Sequence, residues 1–168
     1  EIADVIYKYG EERHSRRMAR KIVEERTEAP IVDTGRLAEI IKHANPAWER
    51  DKHPATRAFQ GIRIFINNEF GEIESGIAQA LSCLRIEGRL VVISFHSLED
   101  RIVKKFISQQ AKGDNFPRDL PVMNSELSPT LKPIGKAAKA KPQEVAANPR
   151  ARSAVLRVAE KISDKGIG

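Results

Sequence analysis

Residues 89–101 read R-L-V-V-I-S-F-H-S-L-E-D-R, an apolar run that stops at a histidine, a serine and two acids. The run is rich in Val and Ile and too continuously apolar to be half exposed, so residues 89–95 read as a strand buried on both faces. Leu98, Ile102, Val103 and Phe106 then recur at helical spacing, which predicts a helix over 98–110. Helix, buried strand and helix in succession point to an α/β unit with a parallel sheet. In open α/β sheets ligands gather beyond the carboxyl ends of strands, where the following helix leaves backbone N–H groups unpaired. His96 and Ser97 fall at such an end. Ser97 with Asp100 three residues on has the form of an N-cap with a helper acid, and Glu99 and Asp100 suit the positive end of a helix. Arg101 reads as a helix-surface residue. His96 lacks such a local reason, and two readings stay open for it, a satisfied core group or a substrate contact.

Upstream, the longest periodic signal runs from Phe59 through Ile62, Ile66, Phe70, Ile73, Ile77 and Leu81 to Leu84. Steps of three and four predict one helix or two collinear ones, with Gly71 and Gly76 as weak points. Before it, Asp33 or Thr34 caps a helix carrying Leu37, Ile40, Ile41 and Ala44, which Asn45-Pro46 ends. Residues 1–27 predict a helical hairpin with Ile2, Val5, Ile6 and Tyr9 on its first arm and a break at Gly10. On the second arm Arg13, Arg16, Arg17 and Arg20 fall at i, i+3, i+4 and i+7 and share one face. That stripe fits a solvated face, softened by Glu11, Glu12, Glu24 and Glu25, or a phosphate-binding surface.

Downstream, residues 111–150 hold six of the nine prolines and read as a long, partly disordered loop. Between Lys132 and Arg152 six basic residues face one acid, Glu144, which fits a tether or a segment reaching a phosphate backbone. Residues 153–159, S-A-V-L-R-V-A, predict a last strand.

The whole chain has 168 residues, 40% of them hydrophobic and 31% charged, enough for one ordinary core with a helical appendage. No apolar run approaches the roughly 18–20 residues of a membrane span, and no signal peptide is evident, so a cytoplasmic protein is expected. One cysteine, Cys83, and four scattered histidines give no metal-ligand spacing. A net charge of +6 fits a polyanionic partner without requiring one.

Four blocks in order carry a more specific signal: Y-G-E-E-R-H-S-R-R-M-A-R-K-I-V, K-H-P-A-T-R-A-F-Q-G-I-R-I-F-I-N-N-E, V-V-I-S-F-H-S-L-E-D-R-I-V-K-K-F and N-P-R-A-R-S-A-V-L-R-V-A-E. They span Tyr9 to Glu160 and closely resemble the RsmH (MraW) family, bacterial 16S ribosomal RNA cytosine N4-methyltransferases dependent on S-adenosylmethionine. The resemblance implies a class I, Rossmann-like methyltransferase domain interrupted by an all-α insertion that helps to bind the RNA. Residues 1–55 would belong to the insertion and 56–168 to the C-terminal part of the methyltransferase domain. Residues 89–95 would be its fifth strand and 153–159 its antiparallel last strand.

On that mapping the loop before the last strand opens on the side of His96, bringing Asn148, Arg150, Arg152 and Ser153 to the crevice. With His53, Arg57, His96, Ser97, Glu99, Asp100 and Arg101 these form the candidate substrate group, while Arg13, Arg16, Arg17 and Arg20 face the RNA backbone. The expected partner is 16S rRNA in the small ribosomal subunit. The family's cofactor loop is glycine-rich, and the ten glycines here form no G-x-G-x-x-G. The chain is therefore expected to match the C-terminal half of the enzyme, with the S-adenosylmethionine site mostly outside it and little activity alone. Unpaired strand edges would favour a homodimer. The rival readings are a non-catalytic RNA- or DNA-binding module and a protein-interaction domain built on the amphipathic helix.

Overall fold

The computed structural model describes residues 1–46, 53–113 and 127–164. It divides into two compact units, Glu1–Glu69 and Phe70–Gly168.

The first unit is helical: α1 (Ile2–Gly10), α2 (Ser15–Glu28), α3 (Thr34–Ala44) and α4 (Thr56–Ile66). Helix α1 packs on both α2 and α4, and α2 packs on α3. Ile6, Met18, Ile22, Ile40, Ile41 and Ala44 form the core, joined by Ala55 and Ala58. Asp33 caps α3 by accepting from the Arg36 N–H at 2.8 Å, and Asn45 ends it, both at the residues the sequence marks. The hairpin breaks where the sequence marks it: Gly10 is the last residue of α1, and Glu11 takes the left-handed conformation beyond it. Gly10 is glycine because α4 crosses there: a Cβ on Gly10 would lie 2.3 Å from the Arg57 carbonyl oxygen, and one on Gly61 would lie 2.8 Å from the Gly10 nitrogen.

The periodic segment beyond residue 55 is two helices, and the break differs from the expected glycines. Helix α4 stops at Ile66, Asn68 takes φ 48°, and α5 runs Glu69–Cys83. Asparagine tolerates this region through its short polar side chain. The buried face of α4 is Ala58, Gly61 and Ile64, while Phe65 and Ile66 are exposed. Because α4 packs on α1, the helical unit extends past residue 55.

The second unit holds α5, β1 (Arg89–Ser94), α6 (Ser97–Lys112), β2 (Leu131–Pro133), β3 (Ala138–Lys139), α7 (Pro142–Ala147), a 3-10 turn (Pro149–Ser153) and β4 (Val155–Lys161). The sheet order is β1-β4-β2, with β3 also pairing β4, and every described pairing is antiparallel. This is a mixed α/β unit. The antiparallel last strand matches expectation, whereas the parallel pairing read from helix, strand and helix is not formed among the described residues. Leu81, Leu90, Val103, Ile107, Leu131 and Ala159 make the core between sheet and helices.

Strand β1 is not buried on both faces. Leu90 and Ser94 are buried, but Val91, Ile93 and Phe95 are 56%, 57% and 56% exposed, and β4 is the only strand paired with β1 among the described residues. The loop expected over 111–150 is also corrected: α6 continues to Lys112, and 127–153 carries β2, β3, α7 and the 3-10 turn. Residues 114–126 of that expectation lie outside the described residues.

Candidate substrate site at the end of β1

Register decides which groups meet. Ser94 pairs with Val155, so the carboxyl end of β1 and the entrance to β4 share one end of the sheet. Lys139 of β3 also pairs with Val155. His96, at the start of α6, is therefore at the same end as Asn148–Ser153, the segment that enters β4. Asn148 organises that segment by accepting from the Arg150 N–H at 3.2 Å, and Arg150, Arg152 and Ser153 are exposed.

The helix cap differs from the S-x-x-D reading. His96 is the N-cap: its Nδ1 accepts from the Glu99 N–H at 3.3 Å, and the Glu99 carboxylate accepts from the N–H groups of Phe95 at 2.9 Å and His96 at 3.3 Å. This is a reciprocal capping box shifted one residue upstream of the expected one. An imidazole ring can accept at Nδ1 as a serine hydroxyl does, and Glu99 is three residues from His96, whereas Asp100 is three from Ser97. In the neutral ring the proton therefore resides on Nε2. That nitrogen is buried with no hydrogen-bond partner among the described residues; Glu99 Oε1 lies 3.2 Å away, close enough to pair with a protonated ring but out of line for a bond. The Phe70 ring stands beside the imidazole with centroids 6.4 Å apart.

Asp100 has a different task. Its carboxylate takes a bidentate pair from Arg157 on β4, at 2.6 and 2.8 Å. That hydrogen bonding holds the Asp100 carboxyl below its ordinary pKa, against the opposing effect of burial, with Lys104 and Lys139 adding smaller attractions. The same bond raises Arg157. Sequence reading missed Arg157, although an arginine inside S-A-V-L-R-V-A was its available signal. It missed Lys161 too, buried with its Nζ donating to the Leu84 carbonyl at 2.6 Å and paired with Asp164. A lysine there satisfies a carbonyl just past the end of α5.

The remaining candidates divide between the units. Ser97 and Arg101 are exposed on the first turns of α6. His53 and Arg57 belong to the helical unit, His53 exposed with its Nδ1 accepting from the Ala55 N–H at 3.2 Å and Arg57 half-buried. Arg16, Arg17 and Arg20 are exposed on α2, but Arg13 precedes that helix. The chain turns first because the buried Glu12 carboxylate accepts from the His14 N–H at 2.9 Å.

Residues 1–162 match the model of the MraW methylase family. The chain belongs to that family. It is also 58% identical over 164 residues to the ribosomal RNA small subunit methyltransferase H of Marinomonas sp. (strain MWYL1), covering 98% of this chain and 53% of that protein. The chain thus spans about half the length of the curated relative it matches. In MraW terms, the F-H-S-L-E-D-R block is the capping box and the Asp100–Arg157 pair, and N-P-R-A-R-S is the 3-10 turn beside them.

Proposed function

We propose that this chain is the C-terminal half of an S-adenosylmethionine-dependent methyltransferase that modifies N4 of a cytidine in 16S rRNA, and that it supplies the RNA-facing side of the site. The observation carrying this reading is the Ser94–Val155 pairing, which sets the His96 cap and the Asn148–Ser153 turn at one sheet end in a chain of the MraW family. The relative's name, a small-subunit ribosomal RNA methyltransferase, supports this substrate class. Residues 70–168 would form part of a Rossmann-like domain and the helical unit an inserted RNA-recognition domain.

The described residues do not fit the methyl donor by themselves. A carboxylate at a strand end is the usual holder of a ribose hydroxyl, and at this end Glu99 is spent on the cap and Asp100 on Arg157. The donor's site is therefore assigned mostly to the other half of the longer protein.

On the substrate side, a cytosine amino group is a weak nucleophile because its lone pair is delocalised, so alignment matters most. His96 and Glu99 act as positioning residues that fix the first turn of α6. Ser97 and Arg101 on that turn, with Arg150, Arg152 and Ser153 opposite, are the groups that meet the nucleotide. Within the helical unit, His53 and Arg57 are proposed as further RNA contacts, and Arg13, Arg16, Arg17 and Arg20 as contacts to the RNA backbone. The protein works in the cytoplasm on RNA of the small subunit. Expressed alone, the chain is inactive and dimerises through the open edge and face of β1.

The test is methylation of small-subunit RNA by the full-length enzyme. His96→Asn keeps a capping acceptor and is expected to retain most activity, while His96→Ala is expected to lose about tenfold or more with the fold intact. Full activity in His96→Ala would remove this sheet end from the site. RNA binding without methylation by the full-length wild type would favour the non-catalytic module.

A further inference from the structure

A second basic surface lies further along α6, beyond the Asp100–Arg157 pair, with Arg157 in its lining. Between the outer side of α6 and the β2–β3 turn is a cleft of about 280 Å³, lined on one wall by Lys104, Ser108 and Lys112 and on the other by Lys136. By sequence the segment after Lys132 fits either a tether or a phosphate contact. It is held in place: β2 and β3 both pair with β4, and the Ile134 N–H donates to the Val158 carbonyl at 2.9 Å. Gly135 takes φ 68° between the strands, which presents Lys136 on the turn.

We infer that this cleft binds the phosphate backbone of an RNA strand, a contact separate from the α2 arginines and from the His96 end. Charge is the first reason. Among the described residues no carboxylate lines the cleft, Lys104, Lys112 and Lys136 are exposed and make no ion pair, and the fourth cation, Arg157, is neutralised by Asp100. Spacing is the second. Lys104 and Lys112 are two turns apart on one helix face, roughly 12 Å along the axis, so the cations form a track wider than one small anion. The floor is the third. It is aliphatic, made by Ile107, Ala111, Pro133 and Val158, with no aromatic ring among the described residues for a base to stack on. Stacking platforms for single strands are aromatic, so recognition here is of backbone charge rather than of sequence.

The inference rests on the RNA-binding reading above, and the experiment separates the two. The 168-residue chain is titrated with single-stranded oligouridylate and oligoadenylate at several salt concentrations, reading fluorescence anisotropy. Lys104→Ala/Lys112→Ala/Lys136→Ala is expected to weaken both oligonucleotides alike, by about tenfold, and to reduce the slope of log affinity against log salt by about 2. The triple Lys→Arg variant keeps the charge and is expected to bind like the wild type. Unchanged affinity and slope in the alanine variant overturn the cleft, as does loss on one oligonucleotide only or loss in the arginine variant. Arg16→Ala/Arg17→Ala/Arg20→Ala is the companion. Weakening there with none in the lysine variant defeats the cleft alone, whereas no RNA binding by the wild type defeats the RNA reading itself.

Discussion

The two units answer the same problem, what to do with apolar surface, in opposite ways. The helical unit closes its own core: Ile6, Met18 and Ile41 are each 0% exposed, and Gly10 with Gly61 lets two backbones approach until nothing fits between them. The sheet unit buries one face of β1 and leaves Val91, Ile93 and Phe95 on the other, beside an edge with no further strand among the described residues. Helices satisfy their own hydrogen bonds and need only side-chain packing from neighbours. A strand needs a neighbour on each edge and cover on each face. The described residues therefore hold a closed bundle beside a sheet with one open edge and one open face.

The sharpest way to break this contrast is to spoil the helix crossing. Gly10→Ala forces a methyl against the Arg57 backbone and is expected to cost about 3 kcal/mol, seen as a lower denaturant midpoint. A neutral result would mean that the bundle is as loosely closed as the sheet. Next comes the pair joining α6 to β4. Asp100→Ala leaves Arg157 without its carboxylate and should cost about 2–3 kcal/mol. Arg157 holds the folded carboxyl below its unfolded pKa, near 3.9 in model peptides. The stabilisation is therefore fully present above about pH 4 and is lost as pH falls through the lower folded value. Asp100→Asn should flatten that acid-side loss, and an unchanged acid profile would count against the pair.

Smaller effects follow. His96→Ala should cost about 1 kcal/mol and His96→Asn only a few tenths, because asparagine also caps; equal losses would argue against the capping role. Replacing Val91, Ile93 and Phe95 together by threonine should move the unfolding free energy by no more than about 0.5 kcal/mol. The same change should shift the sedimentation of the isolated chain from dimer to monomer, and a wild type that sediments as a monomer at high concentration removes β1 as the self-association surface.

Much of this architecture was legible residue by residue. Asp33 and Asn45 bound α3 where cap chemistry and the following proline placed them, because caps depend on neighbours within four residues. Strand β1, helix α6 and β4 lie within a few residues of their predicted bounds. The break at Asn68 was less legible, since asparagine is only modestly better than other residues at left-handed geometry and two glycines nearby were stronger candidates. The cap on His96 was hidden because serine is the commoner capping residue and stood one position later. Asp100–Arg157 spans 57 residues of sequence, and no local pattern reports such a contact.

What the sequence determined by itself was the set of local segments, their charge and the ordered blocks that tie the chain to its family, because these follow from near-neighbour sterics, periodicity and composition. Tertiary structure decided the antiparallel pairing of β1, the exposure of its outer face, the placing of His96 and the segment that enters β4 at one sheet end, and the pairing of the segment after Lys132 with β4 beside a basic cleft. Those depend on which distant strand supplies the hydrogen bonds, a choice made by packing rather than by any residue's own preference.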